Sequence, residues 1–365
     1  MAENNIFFPP EWYPQSAVQL TWPHEDTDWR PILDEVIPCF VSIAKEIIKR
    51  EKLLIVCRDK EEVCAQLGEV DDSRIIFCEM ETNDTWARDH GGISVMEEKT
   101  LAIFDFMFNG WGMKFPANYD NKITHNLFDK DIFAEVVLRV DMQPFVLEGG
   151  SIETDGKGTL LTTAKCLLSI NRNEYLAEGH VEYYLKKCFG VKRVLWLNHG
   201  YLAGDDTDSH IDTLARFCNE NTIAYVQCTD ESDEHFKELS AMEKELGKFR
   251  QRNRKPYNLI PLPMADRVEW EGERLPATYA NFLIINGAVL VPFYNSPKDE
   301  VAKAALQEAF PDREIIGINC LPLIKQHGSL HCVTMQYPEG FINLEKTKQN
   351  EDRINSTIKQ LRLYD

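Results

Sequence analysis

His210-Ile211-Asp212-Thr213, then Ile223-Ala224-Tyr225-Val226, an amphipathic stretch over 233–246, and Leu259-Ile260-Pro261-Leu262 predict, in order, strand, strand, helix and strand. The same order recurs upstream. Leu147-Glu148-Gly149-Gly150 leads into Thr159-Leu160-Leu161-Thr162-Thr163, a helix-like stretch over 174–188, and Arg193-Val194-Leu195-Trp196-Leu197. It recurs downstream from Tyr279-Ala280-Asn281-Phe282 through Ala288-Val289-Leu290-Val291, a helix over 299–309 and Glu314-Ile315-Ile316-Gly317-Ile318. Trp86-Ala87-Arg88-Asp89 opens a further copy, with its second strand at 101–106, and the four starts lie 62, 62 and 69 residues apart. A fifth copy needs both ends of the chain. Ser329–Thr334 would pair with Ala17–Thr21, followed by a helix over 32–50 and the strand Leu53–Val56. A period this regular predicts a ring of supersecondary units. Closure by strands from both ends would leave no exposed sheet edge. The expected fold is therefore α/β: a five-bladed αβ propeller, one domain over 1–365, with ββαβ-type repeats around a central funnel.

The chain of 365 residues carries 59 acidic and 40 basic side chains, a net charge of −19, which excludes clustered phosphate binding and hence a nucleic-acid partner. The ten cysteines are scattered, with no CxxC pair, so neither a zinc knuckle nor a redox dithiol is indicated. The most apolar stretch, 282–294, is broken by Asn286, Gly287 and Pro292 and is too short to span a bilayer. Residues 1–5 have no basic region leading into an apolar one, so no export signal is expected. These features together predict a cytoplasmic protein with reduced thiols.

The unusual residues gather at the starts of the units. Glu148 sits beside two glycines between apolar residues, and a carboxylate there is costly to bury without a cationic partner. Asp89, in Asp84-Thr85-Trp86-Ala87-Arg88-Asp89-His90-Gly91-Gly92, has the same character. On a strand, His210 and Asp212 would share one face, as would Leu330 and Cys332, with His331 on the other. Cys332 would then need a base from elsewhere, and His210 is the natural candidate. Blander readings stand beside these: Glu-Gly-Gly as a turn, Arg88 as a structural partner of Asp89, Trp86 and Trp111 as core. Equivalent positions of a ring converge on its axis, however, which would place the acids, the His and the Cys in one pocket. That set suits a guanidinium, whose planar fork takes carboxylates bidentately and whose carbon a thiolate can attack.

Trp86-Ala87-Arg88-Asp89-His90-Gly91-Gly92, Phe108-Asn109-Gly110-Trp111-Gly112, Leu147-Glu148-Gly149-Gly150-Ser151, His210-Ile211-Asp212 and Gly328-Ser329-Leu330-His331-Cys332 resemble the agmatine deiminase family. That family includes bacterial peptidyl-arginine deiminases and belongs to the guanidine-modifying pentein group. The resemblance covers nearly the whole chain, from Trp22-Pro23-His24 to Gln336. It implies Cys332 as nucleophile, His210 as general acid/base, Asp89 and Asp212 as guanidinium clamps, and Glu148 binding the guanidinium and steadying His210. Trp86 and Trp111 would flank the aliphatic chain of the substrate. The resemblance implies no metal or organic cofactor, and a homodimer. Two positions depart from the family pattern: His327-Gly328-Ser329-Leu330 replaces a glycine run ending in Gly-Asn, and Asp206 stands where a Glu is expected. Asp206 could still hold the far amine of agmatine through water, and Asn281 carries over as a substrate residue from the peptidyl-arginine relatives.

The expected activity is hydrolysis of agmatine to N-carbamoylputrescine and ammonia, in putrescine biosynthesis and polyamine metabolism. Deimination of peptidyl or free arginine is the alternative, and a non-catalytic binder of cationic amines is a second. The carboxylates around Cys332 should raise its pKa, so bound guanidinium should promote its ionisation.

Overall fold

The computed structural model describes residues 6–98 and 100–343. Within them one pairing order occurs five times, an antiparallel strand pair followed by a parallel third strand. In the first unit, Ile93–Glu97 pairs antiparallel with Thr100–Met107, which pairs parallel with Val137–Val146. The second runs Ile152–Thr154, Thr159–Thr163 and Arg193–Leu197. The third is Ala215–Asn219, Thr222–Gln227 and Asn258–Pro263, and the fourth Leu283–Ile285, Ala288–Phe293 and Glu314–Asn319.

The fifth unit uses both ends of the chain, as expected. Thr334–Pro338 pairs antiparallel with Gln15–Thr21, which pairs parallel with Lys52–Cys57, and Ile75–Glu79 extends that sheet. Among the described residues the sheets remain separate and none closes on itself. The expectation that no sheet edge remains is therefore not met: closure joins the chain ends inside one sheet and does not stitch the sheets together.

A parallel return needs a crossover, and amphipathic helices supply it in four units: Leu33–Ile48, Glu178–Phe189, Phe236–Lys248 and Lys298–Ala309. The first of these buries Val36, Phe40, Ile43, Ala44 and Ile47, one stripe at helical spacing. The strands under it are apolar on both faces: Leu53, Leu54, Ile55 and Val56 are all fully buried. Helix starts fall later than expected at two places. Asp233 spends its carboxylate on the His235 N–H and on Arg274, so the helix begins at Phe236. The stretch before Glu178 is instead a separate short turn, Ile170–Asn173.

The larger correction concerns the unit starts, which are tight helical turns and not strands. Ala87–His90, Gly149–Ser151 and Ile211–Thr213 each make one turn before their first strand. The strand expected over Ser329–Thr334 begins only at Thr334, because the Thr334 N–H and Oγ1 both return to the His331 carbonyl. Face-sharing by alternation therefore does not apply to His210 and Asp212, or to Leu330 and Cys332. The turns bring these side chains together by a different route. The expectation drawn from residues 1–5 lies outside the described residues.

Candidate active site

The turns place four of the singled-out residues within a few ångströms of one another. His210 Nδ1 lies 3.6 Å from Asp89 Oδ1. The Asp89 carboxylate also accepts the indole N–H of Trp111 (2.9 Å) and the backbone N–H of Gly150 (3.1 Å). Cys332 Sγ lies 4.0 Å from Asp212 Oδ2 and 3.4 Å from Asn281 Oδ1. Gly150 packs among them. A Cβ there would stand 2.7 Å from His210 Nδ1, 2.8 Å from Asp89 Oδ1 and 3.1 Å from Asp212 Oδ2, so the second glycine of Glu-Gly-Gly is required by close approach.

Each side chain has a local cause for its position. Asn281 Oδ1 accepts the backbone N–H groups of His331 (2.9 Å) and Cys332 (3.3 Å), which folds the turn that presents the thiol. Asn281 thus lies beneath that turn. Asn109 caps the Gly112 N–H, and the loop between them holds Trp111 at φ 55°, a left-handed conformation costly for a tryptophan that aims its ring at Asp89. Glu148 is buried against Arg172, whose Nε donates to both carboxylate oxygens at 2.9 and 3.0 Å. Arg172 also reaches the Thr207 carbonyl and Asp208, which ties Glu148 to the loop leading into His210.

Cys332, Asp89, Trp86, Trp111 and Asp206 line one cavity of about 160 Å³, together with Asp28 and Asp84. An adjoining chamber of about 320 Å³ shares Asp28, Asp84, Trp111 and Phe115 but neither Cys332 nor Asp89. Asp28 and Asp84 therefore stand at the end away from the thiol. His210 and Asp212 are fully buried beside the lining residues Asp89 and Cys332, and Glu148 is fully buried as well.

The electrostatics follow from burial. It pushes the Cys332 thiol well above its ordinary value, and Asp212 and Asp89 add to the effect. Burial also lifts Asp89 to about 6 and Asp206 to about 6, and Asp84 to about 7. For Asp212 burial acts in the same direction, but the hydrogen bond and charge of His331 outweigh it and hold the carboxyl low. Burial disfavours the His210 cation, yet Asp89, Cys166 and Glu148 keep its pKa well above normal. Among the described residues the buried atoms Asp212 Oδ1, His210 Nδ1 and His210 Nε2 have no hydrogen-bond partner of ordinary geometry, although the Cys166 thiol lies beside the His210 ring.

Two buried trios have metal-ligand character, Glu148–Cys166–His210 and Glu11–Glu153–His331. In each, a guanidinium already pairs with the carboxylates: Arg172 with Glu148, Arg216 with Glu11 and Glu153. A divalent cation would have to sit against that positive charge, so neither trio fits one well.

Reading the sequence missed Glu11, Arg172 and Arg216. Arg216 gave the same signal as Glu148, a charge inside the apolar run Leu214-Ala215-Arg216-Phe217-Cys218. Glu11 gave none.

The profile of the Porphyromonas-type peptidyl-arginine deiminase family matches residues 7–338. The chain belongs to this family. Among relatives of this deiminase-family chain, the agmatine deiminase of Stutzerimonas stutzeri is 31% identical, over 93% of this chain and 97% of its own. A Porphyromonas gingivalis structure provisionally named an arginine deiminase is 57% identical, with a TM-score of 0.90 over 93% of this chain and all of that one. A serine-for-cysteine variant of C. jejuni agmatine deiminase with substrate bound is 39% identical, with a TM-score of 0.85 over 92% of this chain and 97% of that one. Among the described residues no helix is long and apolar enough to cross a membrane.

Proposed function

We propose that this chain is an agmatine deiminase, hydrolysing agmatine to N-carbamoylputrescine and ammonia in the cytoplasm, as a step of putrescine formation. The five sheets with their common pairing order are read as the blades of one αβ propeller, with the catalytic cavity at its axis. The observation that carries the substrate is the cavity's lining. Cys332 and Asp89 stand at one end, Asp28 and Asp84 toward the other, and Asp206 lines the same cavity, whose described lining holds no Lys or Arg; Arg58 in the adjoining chamber is already paired with Asp26 and Glu81. A guanidinium joined to an amine by an apolar chain matches that distribution, whereas the α-carboxylate of free arginine would be repelled.

Asp89 and the free Oδ1 of Asp212 hold the guanidinium N–H groups, and Trp86 and Trp111 cover the alkyl chain. As the guanidinium binds, the Cys332 thiol loses its proton to solvent, and the thiolate Sγ attacks the guanidinium carbon, forming a C–S bond and a tetrahedral adduct. Protonated His210 gives its proton to one nitrogen, the C–N bond breaks, and ammonia leaves a planar S-alkylthiouronium. His210, now neutral, takes a proton from water as the oxygen adds to that carbon. The C–S bond then breaks, thiolate leaves, and the remaining hydroxyl proton passes to solvent, where the released ammonia becomes ammonium, giving the carbamoyl product. Glu148, neutralised by Arg172, steadies the loop and field around His210, and Asp206 faces the distal amine.

A second reading, deimination of an arginyl group, has support from the family name and from the 57% identical structure. Ammonia release from agmatine, free arginine and a blocked arginyl peptide, with wild type and Cys332→Ala side by side, tests both. Turnover of agmatine alone, lost in the variant, is expected. Turnover of the peptide or free arginine instead would keep the chemistry and overturn the substrate.

A further inference from the structure

Behind the nucleophile turn, on the side away from the cavity, lies a buried ionic cluster drawn from five separate segments. His331 is at its centre. Its Nδ1 lies 2.7 Å from Asp212 Oδ2 and its Nε2 lies 2.6 Å from Glu11 Oε2. A nitrogen and a carboxylate oxygen that close must share a proton, since two lone pairs facing each other would repel. Both ring nitrogens meet that condition at once; Arg216 Nη2 also lies 3.1 Å from Nε2, but the shorter contacts are those that Arg216 Nη2 (2.7 Å) and Nε2 (2.6 Å) each make to Glu11 Oε2.

The surrounding charges agree. The titratable and cationic groups facing His331 are Glu11, Glu153, Asp212, Arg88 and Arg216, all buried. Glu11 accepts from the Ile284 N–H (2.6 Å) and from Arg216 Nη2 (2.7 Å). Burial raises the Glu153 carboxyl, but each of its oxygens accepts an N–H, from Arg216 Nε and from the Phe217 backbone, as an ionised carboxylate does. Three carboxylates face two guanidiniums, so the cluster is one positive charge short of neutrality. An imidazolium supplies it.

The consequence reaches the active site through Asp212. One of its oxygens, Oδ2, is taken by His331. The other, Oδ1, is buried without a partner among the described residues. We propose that His331, protonated on both ring nitrogens between Glu11 and Asp212, is a positioning residue that fixes one oxygen of Asp212 and leaves the other for the substrate guanidinium. This rests on the deiminase reading given above. It also explains how the N-terminal segment carrying Glu11, 320 residues away in sequence, bears on the reaction.

Two measurements test it. In ¹⁵N-histidine protein, with the His331 signals among nine histidines assigned by their loss in His331→Gln, both ring nitrogens should read as protonated at neutral pH. A ring with one bare nitrogen would overturn the proposal. In kinetics with agmatine, His331→Gln should lower kcat/KM by about thirtyfold or more, the effect of truncating one side of a buried charge pair. Added to Asp212→Asn, it should cost nothing further, because it acts through Asp212. Losses that simply add, with an active wild type, would assign His331 a purely structural role and overturn the proposal. Absence of turnover by the wild type with any guanidine sinks the deiminase reading itself. Should His331→Gln fail to fold, Glu11→Gln carries the test: it should lower kcat/KM in the wild-type background and add nothing to the loss in Asp212→Asn, and losses that add reject the proposal.

Discussion

Gly150 has its Cα against the imidazole of His210, so close that a Cβ would stand 2.7 Å from Nδ1. The same methyl group would lie 2.8 Å from Asp89 Oδ1. Gly150→Ala should therefore displace the base and a clamping carboxylate together while leaving the sheets intact. Misplacement by about an ångström can cost roughly a hundredfold in rate, and a loss of that order in kcat/KM is expected with little change in thermal midpoint. Activity within a few-fold of wild type would mean that His210 is not the base.

Asp206 lines the cavity at a point where burial lifts its carboxyl to about 6. If it faces the distal amine, Asp206→Asn should raise KM for agmatine about tenfold, a loss of about 1.4 kcal/mol, with kcat little changed. Butylguanidine, which lacks the amine, should be indifferent to the substitution. Equal effects on both substrates would remove Asp206 from the amine subsite.

The helices and strands were legible because local pattern made them: the stripe Val36, Phe40, Ile43, Ala44, Ile47 and the apolar run Leu53–Val56 need no distant partner to be read. Asp89, Glu148 and Asp212 were legible for the converse reason, as carboxylates in apolar settings. The conformation at the unit starts was not legible. Alternation treats His210–Thr213 as a strand, whereas side-chain and backbone bonds from Thr213 to the His210 carbonyl wind it into a turn. The partners were hidden by sequence distance. Glu11 meets Arg216 across 205 residues, and nothing local marks either as the other's counter-charge.

Arg172 is one such partner, and its loss should be severe. It is buried, with Nε on Glu148, Nη2 on the Thr207 carbonyl and Nη1 on Asp208. Arg172→Met leaves Glu148 buried without its cation, a change that costs about 3–5 kcal/mol when a buried pair is broken from one side. Denaturant unfolding should show that loss, and Glu148→Gln in the same chain should recover part of it. Additive destabilisation by the two substitutions would show that the pair is not coupled.

The pH dependence should expose how the thiol is ionised. Below about 6 Asp89 takes up a proton and no longer attracts a cation, so kcat/KM for agmatine should fall as pH drops through that value. Burial, then Asp212 and Asp89, hold the Cys332 thiol well above its usual range in the free protein. Thiolate absorbance, taken as wild type minus Cys332→Ala, should therefore show no midpoint in the range of an ordinary cysteine, about 8.5. A bound guanidinium reverses the local charge and favours the thiolate. In His210→Gln, which keeps the thiol and lacks the base, adding agmatine at pH 8 should raise the 240 nm absorbance, and Cys332→Ser should give no such rise. A thiolate already present in the free protein near neutrality, or no response to agmatine, would mean that His210 and not the substrate ionises Cys332.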